Sequence, residues 1–164
     1  MTGKEILLEQ FTACYDENGW FVALKNTLEN LTAGEANWKT ANLDNSIGEI
    51  LTHLNFYNEA YLKRFKGVDY VYQIEDNDET FTSAASEKDW QAEIERFNAI
   101  MSEWRELLDA AGDDRFDEAV SKTNQASWAK LLSNLNAHNA YHGGQIVVIR
   151  KLQGSWSAAQ EGVS

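Results

Sequence analysis

Proline is missing from the 164-residue sequence, and cysteine and histidine are scarce, with one and three residues respectively. Because proline interrupts the interior of a helix, its absence leaves every segment free to form long helices. The single cysteine, Cys14, cannot form a disulfide within the chain, and no cysteine pair is present for metal binding or redox chemistry. We expect Cys14 to be a small buried residue without a catalytic role.

Basic residues are also few, with 14 against 26 acidic residues and a net charge of −12. Such a charge repels nucleic acids and anionic membrane surfaces, so we expect neither as a partner. No apolar run approaches the length of a membrane span, and the first residues do not resemble a secretion signal. We therefore expect a cytoplasmic protein.

Apolar residues recur at every third or fourth position in four segments, residues 4–31, 46–67, 86–112 and 127–154. This spacing is typical of amphipathic helices, and no segment shows the period of two that is typical of strands. The connection over residues 68–85 is too long for a tight hairpin and suits a crossover between the second and third helices. The sequence therefore predicts an all-α protein, a four-helix bundle.

The ends of the predicted helices carry recognisable signals. Ser46 and Glu49 form the capping box that begins the second helix, and Gly67 follows its last turn. In the first helix we expect the Asn18-Gly19 pair to weaken the helix midway and to bend it. The signals at Ser46, Glu49 and Gly67 predict where the helix that carries His53 begins and ends.

The chain length suits one domain, which we assign to residues 1–154, followed by a tail at 155–164. The connection at 68–85 is expected to border the functional site. Large aromatic residues at helical spacing usually belong to the core, so we assign no binding role to the six tryptophans. These are Trp20, Trp38, Trp90, Trp104, Trp128 and Trp156.

The three histidines are the strongest functional signal. His138 and His142 are four residues apart on the apolar face of the fourth helix, so both rings can reach one ion. His53 lies at the edge of the apolar face of the second helix, where its side chain can reach a neighbouring helix. The pattern predicts a divalent metal on three neutral imidazoles, with a coordination position left open. A polar core without metal is the alternative.

Residues that commonly accompany other metal chemistries are absent. Asn139 follows His138, where a zinc peptidase helix carries a glutamate, and no glutamate stands three residues before any histidine as di-iron bundles require. Glu49, Tyr57, Asn139 and Gln145 are candidates for hydrogen bonding to the metal-bound rings or the substrate. For each of them, an ordinary structural role is the alternative.

Several segments carry a family resemblance. Residues 46–54, 58–59, 62–67 and 138–146 (the last reading HNAYHGGQI) are similar to the DinB/YfiT-like family of metal-dependent enzymes. The resemblance implies a four-helix bundle of up-down-down-up type and, usually, a homodimer. It also implies that a divalent metal binds His53, His138 and His142.

Relatives in this family include transferases and isomerases that use a low-molecular-weight thiol such as bacillithiol or mycothiol. The resemblance therefore implies an S-transferase-like activity, in which a thiol bound at the metal attacks a small electrophile. Activation of water, as in a metal-dependent hydrolase, is an alternative, and a non-catalytic metal-binding or sensing dimer is another. Zinc and nickel are the expected ions, with iron, manganese and cobalt as alternatives.

Overall fold

The computed structural model describes residues 1–157, in which every regular element is helical. The prediction of an all-α protein is confirmed. The six α-helices are α1 (Gly3–Tyr15), α2 (Leu24–Thr27), α3 (Ala33–Ala36), α4 (Ile47–Phe65), α5 (Glu87–Ala110) and α6 (Trp128–Gln153). Single 3-10 turns occur at Asn77–Thr80 and Asp113–Phe116. Residues 158–164 of the predicted tail lie outside the described range.

The four longest helices pack in a ring, because α1 contacts α5 and α6, and α4 also contacts α5 and α6. Their apolar faces form one core, in which the rings of Trp90, Trp104 and Trp128 are almost completely buried. The indole of Trp90 donates a hydrogen bond to the carbonyl of Leu31, which ties α5 to the segment before α3. Trp20 departs from the expectation for tryptophans, since 97% of it is exposed. The up-down-down-up order of helix directions stays a prediction.

The first predicted helix is wrong in its extent. A single helix was expected over residues 4–31, but α1 ends before Asn18 and Gly19, and the chain bends through an irregular segment before α2. The Asn18 side chain accepts the backbone N–H of Ala23 at 3.0 Å, a local bond that competes with a continuous helix. A continuous helix over residues 4–31 would place Phe21 on its buried side, but with the helical period interrupted Phe21 is 44% exposed.

The boundaries predicted for the helices that carry histidines are confirmed. Ser46 caps α4 and forms a complete capping box with Glu49. Gly67 follows α4 with a φ of +83°, and Gly154 ends α6 with a φ of +80°, a conformation that favours glycine. The Ser127 side chain caps the start of α6. The caps and terminal glycines of α4 and α6 therefore lie where the sequence predicts these helices to begin and end.

The long connection between α4 and α5 folds back over α4. The hydroxyl oxygen of Thr52 lies 3.1 Å from the carbonyl oxygen of Thr80, and it accepts the backbone N–H of Thr82 at 3.0 Å. These contacts hold the 3-10 turn Asn77–Thr80 beside the middle of α4. As expected, this connection borders the cavity described below, through Asn77 and Phe81. Within residues 1–157, no helix combines the length and apolarity needed to cross a membrane.

Candidate metal centre

The three histidines come together although α4 and α6 are far apart in sequence. The Nε2 atom of His53 lies 3.0 Å from Nε2 of His138, and Nε2 of His142 lies 3.1 Å from the same atom. One ring nitrogen from each residue falls within a cluster in which all separations are below 4.8 Å. His53 and His142 are buried, and His138 is partly exposed. We call these three residues the histidine triad.

The orientation of His53 is set by the connection above α4. Its Nδ1 lies 2.6 Å from Oγ1 of Thr80, and that hydroxyl donates its only proton to the carbonyl of Asn77 at 2.7 Å. Thr80 must therefore accept from the ring, so Nδ1 of His53 carries the proton and Nε2 keeps its lone pair. The ring of Phe81 stacks on the imidazole, with centroids 4.1 Å apart and planes 11° from parallel. The lone pair of Nε2 thus points to the centre of the triad.

A second hydrogen bond orients His142 in the same way. Its Nδ1 lies 2.6 Å from Oε1 of Gln145, while the amide nitrogen of Gln145 donates to the hydroxyl of Tyr141 at 3.2 Å. An amide oxygen can only accept, so Nδ1 of His142 carries the proton and Nε2 is free to bind an ion. Such outer hydrogen bonds commonly orient imidazoles that bind metals.

All three rings are neutral near pH 7. Burial, reinforced by the neighbouring His142 and His138, lowers the pKa of His53 from 6.5 to about 3. Burial and the nearby His142 lower the pKa of His138 to about 4. Burial also lowers the pKa of His142, although its hydrogen bond to Gln145 opposes this shift. Neutral imidazole is the form that binds a metal ion, so protons compete weakly for this cluster.

The donor set fits a transition-metal ion. Two nitrogens that each lie about 2.0–2.1 Å from one ion are roughly 2.9–3.4 Å apart for angles between octahedral and tetrahedral values. The two separations involving His138 fall in this interval. Without an ion, a proton on Nε2 of His138 could form a good hydrogen bond to Nε2 of only one of the other two histidines. The lone pair of the remaining histidine would then face the cluster without a partner. One cation satisfies all three.

The triad opens into a cavity of about 640 Å³ between α4, α6, the connection after α4 and the segment before α6. We call it the triad cavity. Its wall combines aromatic rings, leucines and amides, so a small organic molecule can enter and reach the histidine nitrogens. The lining residues other than the triad are Tyr57, Tyr61, Asn77, Phe81, Asn124, Ala126, Lys130, Leu131, Asn134 and Leu135.

Comparison with known proteins assigns the family. The sequence model of the DinB superfamily matches residues 21–146, a span that contains the whole histidine triad. The chain belongs to the DinB superfamily. Its structure is similar to the crystal structure of a conserved protein from Enterococcus faecalis, with a TM-score of 0.69 and 16% identity. That match covers 93% of this chain and 97% of the other, and supports the fold alone. A comparison with curated proteins found no match.

The four other site candidates of this DinB-superfamily chain lie in different surroundings. Gln145 bonds to His142, and the ring of Tyr57 lies against the imidazole of His53 with centroids 5.0 Å apart. Glu49 serves the α4 cap and contacts no histidine in the described range. Asn139 is buried and exchanges two hydrogen bonds with Asn58, of 2.9 and 3.1 Å, which join α6 to α4. Of the four, Tyr57 and Gln145 are close to the triad.

Thr80 and Phe81 are the residues that sequence reasoning missed. Both lie in the connection that we expected to border the site, but no spacing rule links them to His53, 27 residues earlier. A usable signal was present, since Asp76 and Glu79 form a capping box that begins the 3-10 turn. That signal predicts a turn at this place but not the helix against which the turn packs.

Proposed function

We propose that this protein is a metal-dependent enzyme in which the histidine triad binds a divalent cation and activates a low-molecular-weight thiol. A bound cation would lower the pKa of the thiol and hold the resulting thiolate next to a small electrophile. The observation that carries the proposal is that Nε2 of His53 and Nε2 of His142 lie 3.0 and 3.1 Å from Nε2 of His138, at the wall of the triad cavity. Zinc and nickel are the ions we expect first.

The residues of this chain have separate parts in the proposed reaction. Thr80 and Gln145 keep Nε2 of His53 and His142 unprotonated, because each accepts the proton of the opposite ring nitrogen. Phe81 and the partly buried ring of Tyr57 shield His53 from water. Transfer forms a sulfur–carbon bond while the bond from carbon to its leaving group breaks, and the thiol proton passes to solvent.

A thiol suits this cavity better than water as the nucleophile. An ordinary thiol has a pKa of about 8.5, whereas water has a value near 15.7, so the thiol needs less assistance to lose its proton. Among the described residues, the triad cavity has no carboxylate that could act as a general base for water. The hydrolase alternative is therefore the weaker one on this chemistry.

The first test measures metal content in protein prepared without an affinity tag. We expect close to stoichiometric divalent metal in the wild type and in Ser133→Ala, a control at an exposed position of α6. His138→Ala should lose the metal because only two ligands remain. Turnover of an aryl halide should require an added thiol and should disappear in His138→Ala. A folded His138→Ala variant with unchanged metal content and turnover would defeat the proposal.

A non-catalytic metal sensor that acts as a homodimer is the second candidate. It is favoured by a continuous path from the triad to the surface, because Gln145 joins His142 to Tyr141, which is 64% exposed. An exposed apolar stripe on α6 consists of Tyr141, Val148 and Leu152. If a second copy packs on the stripe, metal binding and association are coupled. Sedimentation of metal-free and zinc-loaded protein would then give different masses, with no turnover of any thiol and electrophile.

A further inference from the structure

The charge of the triad cavity differs from that of the whole protein. The chain has 26 acidic residues against 14 basic ones, yet the described residues that line this cavity include no acidic side chain. Lys130 is the one lining residue with a formal charge at neutral pH, and three asparagine side chains supply further hydrogen-bond donors. A ligand bound here therefore meets positive charge and amide groups in a protein whose net field is negative.

The positively charged residue of this cavity, Lys130, lies on the same helix as two of the histidines. Lys130, Asn134 and His138 are spaced by four residues on α6, so they follow one side of the helix. At a rise of 1.5 Å per residue, Lys130 is about 12 Å along the helix axis from His138. Lys130 pairs with no carboxylate of the described chain, and its charge is available to a ligand.

A second cavity adjoins the triad cavity. It has a volume of about 780 Å³, and it shares Tyr61 and Asn124 with the triad cavity. We call it the outer cavity. Arg64 and Lys122 line it together with one acidic residue, Asp69. Positive charge thus lines both adjoining cavities, and we call Lys130, Arg64 and Lys122 the cationic path.

The charge of Arg64 is held in place but not neutralised. Its Nε and Nη1 atoms donate to the carbonyl of Tyr70 and the hydroxyl of Tyr72, at 3.1 and 3.2 Å. The guanidinium also stacks on the ring of Tyr72, 4.5 Å from its centroid. All of these partners are uncharged, so the site keeps its positive charge for an anion.

We propose that the small molecule bound at the triad is an elongated acid, whose carboxylate end lies at Lys130 and reaches toward Arg64 and Lys122. Its reactive end lies at the histidines, and its middle contacts Tyr57, Tyr61 and the leucines of α6. This inference rests on the proposed function for the reactive end only. The acidic end is recognised by charge, whichever group reacts at the triad.

The test uses glutathione, an elongated thiol with two carboxylates, as a probe beside its dimethyl ester, with zinc-loaded protein and calorimetric titration. We expect the acid to bind about tenfold more tightly than the ester, equivalent to one charge-assisted contact. Lys130→Gln should weaken binding of the acid severalfold and leave the ester unchanged. Lys88→Gln, at an exposed position away from both cavities, is the matched control and should change neither affinity.

Three results would overturn the proposal: equal affinity for acid and ester, loss of both affinities together in Lys130→Gln, or no binding of either compound. S-methylglutathione separates this proposal from the thiol chemistry, since its sulfur cannot become a thiolate. If it binds zinc-loaded protein as tightly as glutathione does, the hypothesis that the thiol coordinates the metal fails. The acid would still bind more tightly than the ester if the cationic path recognises carboxylates.

Discussion

Replacing Thr80 with valine keeps the shape of the side chain but removes the oxygen that lies 2.6 Å from Nδ1 of His53. His53 is 4% exposed, so water cannot readily replace the lost partner. Leaving a buried donor unsatisfied costs about 1–3 kcal/mol, and His53 can avoid this cost only by turning or by moving its proton to Nε2. Either change removes the lone pair that faces the triad.

We therefore expect Thr80→Val to weaken zinc binding by about 10- to 100-fold, the usual effect of losing an outer hydrogen bond to a metal-bound imidazole. This range equals about 1.4–2.7 kcal/mol of binding free energy. The assay is a competition titration against a coloured chelator. Thr80→Ser keeps the hydroxyl and is the matched control, and its zinc affinity should stay within a factor of a few of the wild type. Equal affinity of the valine and serine variants would refute the orienting role of Thr80.

Three further outcomes are expected. Asn139→Ala should lower the free energy of unfolding by about 1–3 kcal/mol in urea, because the buried Asn58 loses its partner, while Ser133→Ala should have little effect; equal midpoints would contradict this. Burial raises the pKa of Cys14 to about 11, so its thiol should react with a disulfide reagent only after unfolding. Rapid reaction of the native protein would show that the thiol is accessible. In chelator, the protein should lose stability as the pH falls below 6.5, because unfolded histidines take up protons while His53, with a pKa of about 3, stays neutral. Urea midpoints of the wild type and His53→Gln should separate between pH 7 and 5, and parallel curves would argue against a neutral buried ring.

Local sequence signals predicted the long helices well. Serine caps at positions 46, 86 and 127 begin α4, α5 and α6, and the glycines after α4 and α6 adopt the left-handed conformation. The helical period of the apolar residues gave a wrong prediction at Asn18-Gly19, because these residues continue to recur there although the helix ends. There, hydrogen bonds to the Asn18 side chain replace helical ones, and periodicity carries no information about that competition.

The candidate site was predictable in part. The spacing of His138 and His142 places both rings on one side of α6, and His53 was expected to reach a neighbouring helix. The groups that orient the rings were harder to find. Gln145 lies three residues from His142 on the same helix, which made it a reasonable candidate, whereas Thr80 contacts His53 only after the connection folds over α4.

The sequence by itself determined the helical class, the ends of α4, α5 and α6, and the three imidazoles as candidate metal ligands. These properties depend on contacts within a few residues along the chain, such as caps, turns and the helical period. The tertiary structure decided that ring nitrogens of all three histidines lie in one cluster, that Thr80 accepts the proton on Nδ1 of His53, and that Lys130 and Arg64 line adjoining cavities. Such contacts join residues up to 89 positions apart, and only the packing of the helices and of the connection after α4 brings them together.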